Sequence, residues 1–232
     1  SCTNVLDEMW SGDLTFSSTE DGWAHIVWTR RFIDSSGYFR QTLSYSTIDA
    51  SCEMTPIQDL MEPILLSDGK YWGIDIDVED SEILVSGYHR EMMVSGSFGD
   101  QTSVFMLYAD APTKSSDWSL TPNVVDEIDL IPGETTALEV EFGDDEGAHI
   151  LYKSTRSDST GIERHGLWYA HGLIEQSSWT YRKSVADDVT LAKMKVFVIG
   201  DDEKIVATWK QGEGVDAEMV AMIADSSFNV IN

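Results

Sequence analysis

The stretch Glu20-Asp21-Gly22-Trp23-Ala24-His25-Ile26-Val27-Trp28 has a close counterpart in Asp144-Asp145-Glu146-Gly147-Ala148-His149-Ile150-Leu151-Tyr152. In both stretches an acidic turn leads into a short apolar segment, and AHIVW matches AHILY in order, size and polarity. Two further acidic turns precede apolar segments in the same way. The corresponding acids are Asp21, Asp80, Asp145 and Asp202. Their spacing of roughly 60 residues indicates four copies of one structural unit.

Each copy also repeats the segments on either side of its acidic turn. A predicted strand precedes the turn, and the four are 13–18, 71–78, 137–142 and 194–199. Another follows the next loop, and these are 42–46, 104–109, 166–170 and 218–224. A fourth strand is expected to begin at an aromatic residue, namely Trp118, Trp179 or Phe228. Short alternating strands between Gly, Asp and Ser turns are typical of all-β proteins.

Four strands in each unit of this length predict an all-β fold, a β-propeller with about four four-stranded antiparallel blades. A β-sandwich has similar strands but does not account for the repeat. We expect one domain over 1–232, with blades at about 10–66, 67–130, 131–190, and 191–232 together with 1–9. Residues 3–9 resemble 121–128, so both chain ends are expected to contribute to one outer strand. Either a closed four-blade ring or part of a larger propeller fits this pattern.

The composition limits the classes of partner. Asp and Glu number 41 against 15 Lys and Arg, a net charge of −26. Such a field repels a nucleic-acid backbone. No run approaches the roughly 18 apolar residues of a membrane span. Cys2 and Cys52 could form one disulfide, which favours a secreted or cell-surface protein, although two free thiols fit equally well. The oligomeric state is left open.

The blade pattern resembles that of the sialidase-like β-propellers with BNR repeats. The similar feature is an Asp-Gly-x-x-His-Ile-Val-Trp segment followed by Leu-x-Tyr-Ser, seen at 21–28 with 43–46. A looser copy, Asp-Glu-Gly-Ala-His-Ile-Leu-Tyr followed by Leu-Trp-Tyr-Ala, lies at 145–152 with 167–170. The resemblance covers most of the chain and implies a propeller fold. It carries over no catalytic residue, because the family's Ser-x-Asp-x-Gly-x-Thr-Trp box is not present as such.

The loops after the second strand of each unit combine aromatic and basic residues. The expected ligand-binding residues are Trp28, Arg30, Arg31, Tyr88, His89, Arg90, Tyr152, Lys153, Arg156, Trp209 and Lys210. In a propeller blade these loops lie on the face opposite the acidic turns. Aromatic rings pack on sugars, and Arg binds carboxylate or sulfate through paired hydrogen bonds. The aromatic residues could instead fill space between blades, and the bases could offset neighbouring acids.

Three functions follow from this pattern. The first is an extracellular module that binds anionic carbohydrate. The second is a glycoside hydrolase or polysaccharide lyase of the sialidase-like propeller kind, which needs paired carboxylates or a Tyr or His base. The third is a structural or protein-interaction propeller without a small ligand. The sequence leaves open whether the protein is an enzyme.

Carboxylates that alternate along two predicted inner strands suggest a cation site. Asp75 and Asp77, like Glu139 and Glu141, stand two residues apart and so share one face of their strand. If both faces line a central channel, the four carboxylates could bind Ca²⁺, which prefers oxygen ligands. Solvated channel carboxylates are the alternative. His25 and His149 occupy equivalent strand positions, which predicts a packing role for both.

Overall fold

A computed structural model describes residues 11–20, 22–91, 101–110, 117–118, 123–128, 138–143, 147–157, 163–174, 179, 181–187, 189–199, 202–212 and 216–231. The chain forms two compact units, Ser1–Pro122 and Asn123–Asn232. No α-helix occurs among the described residues, so the all-β prediction is confirmed for them. In that part of the chain there is accordingly no helix long and apolar enough to traverse a lipid bilayer.

The first unit contains two antiparallel sheets. The first sheet consists of β1 (Ser11–Ser18), β2 (Ala24–Ile33), β3 (Phe39–Ile48), β4 (Gln58–Asp59) and β5 (Ile64–Leu65), where β4 and β5 both pair with β3. The second sheet contains, in order, β6 (Gly69–Glu79), β7 (Glu82–Glu91) and β8 (Gln101–Asp110). Apart from β5, which pairs with β3 and not with β4, strands that follow one another along the chain are neighbours in these sheets, as in a meander.

The second unit repeats this arrangement. It begins with β9 (Asn123–Ile128). The third sheet then consists of β10 (Leu138–Phe142), β11 (Gly147–Ser157), β12 (Glu163–Leu173) and β13 (Tyr181–Asp187), and the fourth of β14 (Val189–Ile199), β15 (Asp202–Gln211) and β16 (Glu218–Ala224). After β16 the chain turns back, and Val230 forms an isolated antiparallel bridge with Ala224. Where the sequence predicted a fourth strand from Phe228, the described residues after β16 form this single bridge and no strand.

The four acidic turns all lie between the first and second strands of their sheets, as the repeat predicted. They join β1 to β2, β6 to β7, β10 to β11 and β14 to β15. Asp80 occupies the left-handed region with φ of 51°, where Asp is tolerated better than most residues. Asp21 and Asp145 lie outside the described residues. Because the turns are short, each first strand pairs directly with the second.

Each unit has its own apolar core. In the first, Val27, Leu43, Ile83 and Leu107 are fully buried between the first and second sheets. In the second, Leu151, Leu167, Ile205 and Ala207 are the corresponding residues of the third and fourth sheets. Residues 26–29 of β2 are buried in succession, which shows that both faces of this strand are covered.

Cys52 is disulfide-bonded, and Cys2 is the only other cysteine in the chain. Cys52 lies just after β3, in a turn where its φ is 71°. Of the two alternatives that the sequence left open, a disulfide or two free thiols, the structure has the disulfide.

Candidate functional site

The aromatic residues expected to contact a ligand are core residues. Trp28, Tyr88 and Tyr152 have no exposed surface, and Trp209 is 6% exposed. Tyr88 stacks on Trp72 with ring centroids 5.5 Å apart. Such burial fits the second role that the sequence left open for these rings, which is to fill space between blades.

Arg30 and Arg40 in the first sheet are neutralised by carboxylates. Arg30 Nη2 donates to both oxygens of Asp59, at 2.8 and 2.7 Å, and the guanidinium also lies 5.2 Å from the centre of the Phe32 ring. Arg40 Nε donates to Asp34 Oδ2 at 2.6 Å, which lowers the pKa of that carboxyl below its usual value. These two bases therefore offset acids of their own sheet.

Arg31 lies on the other face of the same strand and has a different environment. It pairs across β2 and β3 with Gln41, so the two side chains share one face of the first sheet. Gln41 is fully buried, and its Oε1 accepts a hydrogen bond from the backbone N–H of Tyr71 in β6 at 3.0 Å. This contact shows that the shared face points toward the second sheet.

Two side-chain donors on that face are buried. Within the described residues, neither Arg31 Nε nor Gln41 Nε2 has a hydrogen-bond partner. Beside them, Tyr71 stacks on His89 with ring centroids 4.7 Å apart and planes 18° apart. We call Arg31, Gln41, Tyr71 and His89 the donor cluster. Buried polar groups normally find a partner, so an orphaned donor pair is a feature that a bound acceptor would complete.

The remaining basic candidates are distributed over three strands. Arg90, on β7, is half-buried, Lys153 on β11 is 8% exposed, and Lys210 on β15 is half-buried. The backbone of Arg156 lies in β11, but its side chain is outside the described residues. Tyr152 donates to Asp126 Oδ2 at 2.7 Å, so its hydroxyl is held within the second unit.

The four carboxylates expected to bind Ca²⁺ divide between the two units. Asp75 and Asp77 are half-buried on β6, and Thr15 donates to Asp75 Oδ1 at 3.3 Å. Glu139 and Glu141 on β10 are 7% and 8% exposed, and each is ion-paired with a lysine of β14, Lys193 and Lys195 respectively. A calcium ion at these glutamates would have to compete with two ammonium groups, and the calcium site stays a prediction.

A further cluster in the second unit was not among the sequence-predicted site residues. His149, His171 and Glu203 have ligand atoms within 4.8 Å of one another, the only such trio of His, Cys, Asp or Glu over the described ranges. His149 and His171 face each other across β11 and β12, and their rings stack at 4.5 Å. Glu203 reaches them from β15, with Oε1 2.9 Å from His149 Nε2.

The packing role predicted for the two equivalent histidines is visible in both sheets. His149 Nδ1 lies 2.5 Å from the hydroxyl of Tyr169, and His25 Nδ1 lies 2.8 Å from that of Tyr45. The antiparallel pairing that places His171 opposite His149 could have been read from the sequence by counting along the hairpin. Glu203 could not, because it belongs to the neighbouring sheet.

Comparison with known proteins gives the fold. No protein-family model and no curated protein matches the chain. Among solved structures, a xylan β-1,4-xylosidase from Bacillus halodurans C-125 matches with 9% identity and a TM-score of 0.53, over 98% of this chain and 42% of that chain. An α-L-arabinofuranosidase from Podospora anserina, in complex with cellotriose, matches with 13% identity and a TM-score of 0.49, over 98% and 68%. A levansucrase from B. megaterium matches with 11% identity and a TM-score of 0.44, over 80% and 52%.

The likeness to the xylosidase shows the fold, and the predicted β-propeller of antiparallel four-stranded blades is confirmed. The chain spans 42% of the length of that enzyme. At 9% identity the similarity carries no site residue from one protein to the other.

Proposed function

We propose that this propeller is an anionic-carbohydrate-binding module and that the donor cluster of the first unit binds the sugar's carboxylate or sulfate group. The observation that carries the proposal is the pair of buried donors, Arg31 Nε and Gln41 Nε2, which lack an acceptor within the described residues. An anionic sugar supplies acceptors at this position. A buried donor without an acceptor costs about 1–3 kcal/mol, so a ligand that satisfies it gains in affinity.

The groups around the donors suit such a ligand. The rings of Tyr71 and His89 stack on the adjoining strands β6 and β7. Tyr71 is 2% exposed and belongs to the core, so the half-buried His89 is the ring of this pair that a sugar would contact. Arg provides a planar fork that matches carboxylate and sulfate oxygens, whereas Gln supplies a neutral amide donor for a hydroxyl or ring oxygen. The combination of one cationic and one neutral donor favours a sugar that bears a single acidic group.

The acidic charge of the chain makes this binding selective rather than general. With a net charge of −26, the protein repels polyanions at long range. Binding of an anionic sugar must therefore come from short-range hydrogen bonds at a defined place. We expect uronic-acid or sulfated oligosaccharides to bind better than long, uniformly charged polymers.

The test compares two arginines of the same sheet. Arg31→Gln removes the charge at the donor cluster, and Arg40→Gln removes an arginine that is already paired with Asp34. We expect Arg31→Gln to weaken binding of uronic-acid or sulfated oligosaccharides at least about 10-fold by calorimetry at low salt, since a charged hydrogen bond contributes about 1.5–3 kcal/mol. Arg40→Gln should bind like the unmodified protein.

Either of two results would overturn the proposal. One is that no acidic oligosaccharide binds at low salt, while the circular dichroism of the protein is that of a folded β protein. The other is equal loss of affinity in both variants, which would mean that overall charge, and not the donor cluster, determines binding. Release of reducing ends from the same oligosaccharides would instead favour the hydrolase alternative.

The proposal includes a location and a family. A disulfide at Cys52 is typical of secreted and cell-surface proteins, because the cytosol keeps thiols reduced. We therefore propose that the chain acts outside the cytosol. The Asp-Gly-x-x-His-Ile-Val-Trp motif at 21–28 supports a propeller of the sialidase-like kind. The assignment to this kind of propeller depends on that motif alone.

A further inference from the structure

We propose that His149, His171 and Glu203 form a binding site for one divalent transition-metal ion, with Zn²⁺ as the representative ion, which joins the third sheet to the fourth. The three side chains come from β11, β12 and β15, so two ligands belong to one sheet and the third to its neighbour. This site is independent of the proposed carbohydrate-binding function, which concerns the first unit.

The hydrogen bonds of Tyr169 determine which nitrogen of His149 faces the site. The Tyr169 hydroxyl donates to the backbone carbonyl of Ser226 at 2.8 Å, so it can only accept from His149 Nδ1, which lies 2.5 Å away. Nδ1 therefore carries the proton, and in the neutral ring Nε2 presents a lone pair. Histidines that bind metals characteristically donate their other N–H in this way, which fixes the orientation of the ring.

The lone pair of His149 Nε2 points at a second acceptor. Glu203 Oε1 lies 2.9 Å away, and its side chain is 11% exposed. A lone pair and a carboxylate oxygen at this distance require a positive species between them. That species is either a second proton on the imidazole or a metal ion bound by both atoms.

Gly143 keeps this region open. A Cβ atom at position 143 would lie 2.4 Å from His149 Nε2 and 2.6 Å from Glu203 Oε1, far inside contact distance. Any side chain at this position would therefore displace the two groups. Gly143 follows β10 at the turn into β11, where Gly143 N–H donates to the carbonyl of Gly147 at 2.9 Å. Glycine is required here by space and not by a left-handed backbone.

His171 supplies the third ligand and distinguishes a metal from a proton. A proton can be shared by His149 and Glu203 alone, whereas a metal ion would also bind a nitrogen of His171, whose ligand atom lies within 4.8 Å of theirs. The ring now stacks on His149 with planes 12° apart. Ligation requires it to turn until a nitrogen points at the ion. His171 is half-buried and can turn, whereas His149 is held by Tyr169.

The donor set selects the kind of ion. Two imidazoles and one carboxylate match Zn²⁺ sites that keep a fourth position for water. Ca²⁺ prefers six to eight oxygen ligands, and Mg²⁺ keeps most of its waters, so neither matches two nitrogens. The site is thus chemically distinct from the calcium site that the sequence suggested at Asp75, Asp77, Glu139 and Glu141.

The test uses the full chain, stripped of metal with a chelator that is then removed, and titrated with Zn²⁺ against a chromophoric competitor. We expect one tight equivalent. His171→Ala should weaken this binding at least about 10-fold, since even indirect partners of metal ligands change affinity by 10–100-fold. His25→Ala is the matched control, because His25 forms the same contact with a tyrosine in the first sheet but faces Thr47 across the strands.

A second measurement separates ligation from general attraction to an acidic surface. X-ray absorption at the zinc edge should show two imidazoles in the unmodified protein and in His25→Ala, and fewer in His171→Ala. Added Zn²⁺ should also raise the melting temperature of the first two proteins only. If Zn²⁺ binds equally to all three, or binds without imidazole ligands, the proposal is wrong and His149 and Glu203 share only a proton.

Discussion

The first and third sheets contain the same contact between blades, which we call the joint: a histidine contacts a tyrosine hydroxyl, and the tyrosine ring packs on an aromatic residue of the next sheet. Only in the third sheet do a second histidine and a glutamate surround the first histidine. In the first sheet His25 contacts the hydroxyl of Tyr45, and the Tyr45 ring meets Trp118 edge-on at 5.0 Å. In the third sheet His149 contacts Tyr169, whose ring stacks on Phe228 at 4.4 Å. In both units the tyrosine lies on the third strand of one sheet. It packs against the first aromatic residue that follows the third strand of the next sheet. The repeat therefore specifies how neighbouring blades are joined.

The difference between the two joints lies in the residues around the histidine. Across the strands, His25 faces Thr47, whereas His149 faces His171. At the turn before the second strand, Thr19 N–H bonds to Trp23 O in the first sheet, and Gly143 N–H bonds to Gly147 O in the third. The third sheet thus has the same His–Tyr contact as the first, and the residues around it differ so that two histidines and a glutamate form a polar cluster. The architecture needs only the His–Tyr pair.

The largest expected effect comes from removing the aromatic partner in each joint. Trp118→Ala and Phe228→Ala each delete a nearly fully buried ring, 2% and 3% exposed, which costs about 3–5 kcal/mol in protein cores. Trp118→Ala should cost more, because it also removes the hydrogen bond from Nε1 to Gln58 at 3.1 Å. Guanidinium unfolding followed by far-ultraviolet circular dichroism measures both. Losses below about 1 kcal/mol would show that these rings do not join the sheets.

A smaller effect is expected when only the tyrosine hydroxyl is removed. Tyr169→Phe deletes the bond to Ser226 and leaves His149 Nδ1, which is fully buried, without its acceptor. An unsatisfied buried group costs about 1–3 kcal/mol. Tyr45→Phe affects the half-buried His25, which solvent can reach, so it should cost less. Urea unfolding of the two variants provides the measurement, and a larger loss for Tyr45→Phe would contradict the view that the joint of the third sheet is the more tightly organised.

Much of the fold could be predicted from the sequence, because strand repeats are local. The segments AHIVW and AHILY lie on the second strands of their sheets, each after an acidic turn. The fourth strand expected from Phe228 is reduced to one bridge between Val230 and Ala224. The short strand β4 was not predicted, since Gln58 and Asp59 have no alternating pattern around them. Two-residue strands depend on contacts with their neighbours and leave little periodic signal.

The sites were less predictable for a geometric reason. The sequence grouped Arg30 and Arg31 as one ligand-binding pair, but consecutive strand residues point to opposite faces. Arg30 binds Asp59 of its own sheet, and Arg31 lies with Gln41 on the face toward the second sheet. Glu203 joins His149 only through the packing of two sheets, which no spacing along the chain reveals. Local pattern predicts strands, whereas side-chain partners depend on how sheets pack.

The smallest expected effect concerns one type of turn, which occurs after the third strand of both the first and the fourth sheet. Asp49 Oδ1 accepts from the N–H groups of Ser51 and Glu53, and Asp225 Oδ1 accepts from those of Ser227 and Asn229. In both turns, hydrogen bonds to the carboxylate lower the pKa of the aspartate below its usual value. The backbone N–H of Glu53 contributes most at Asp49, and that of Asn229 contributes most at Asp225. The charged form is therefore the stabilising one.

The sign of the pH dependence follows from this direction. A carboxyl whose pKa is lowered on folding stabilises the protein above the unfolded-state pKa of about 3.9, and the contribution disappears as the pH falls through the lower folded-state value. Asp49→Asn and Asp225→Asn keep an acceptor oxygen but remove the titration. Each variant should lose a little stability at pH 7 and show a shallower fall in melting temperature between about pH 5 and pH 2. An unchanged acid profile in both would mean that these turns hold equally well with a neutral side chain, since the exposed carboxylates would then gain nothing from their charge.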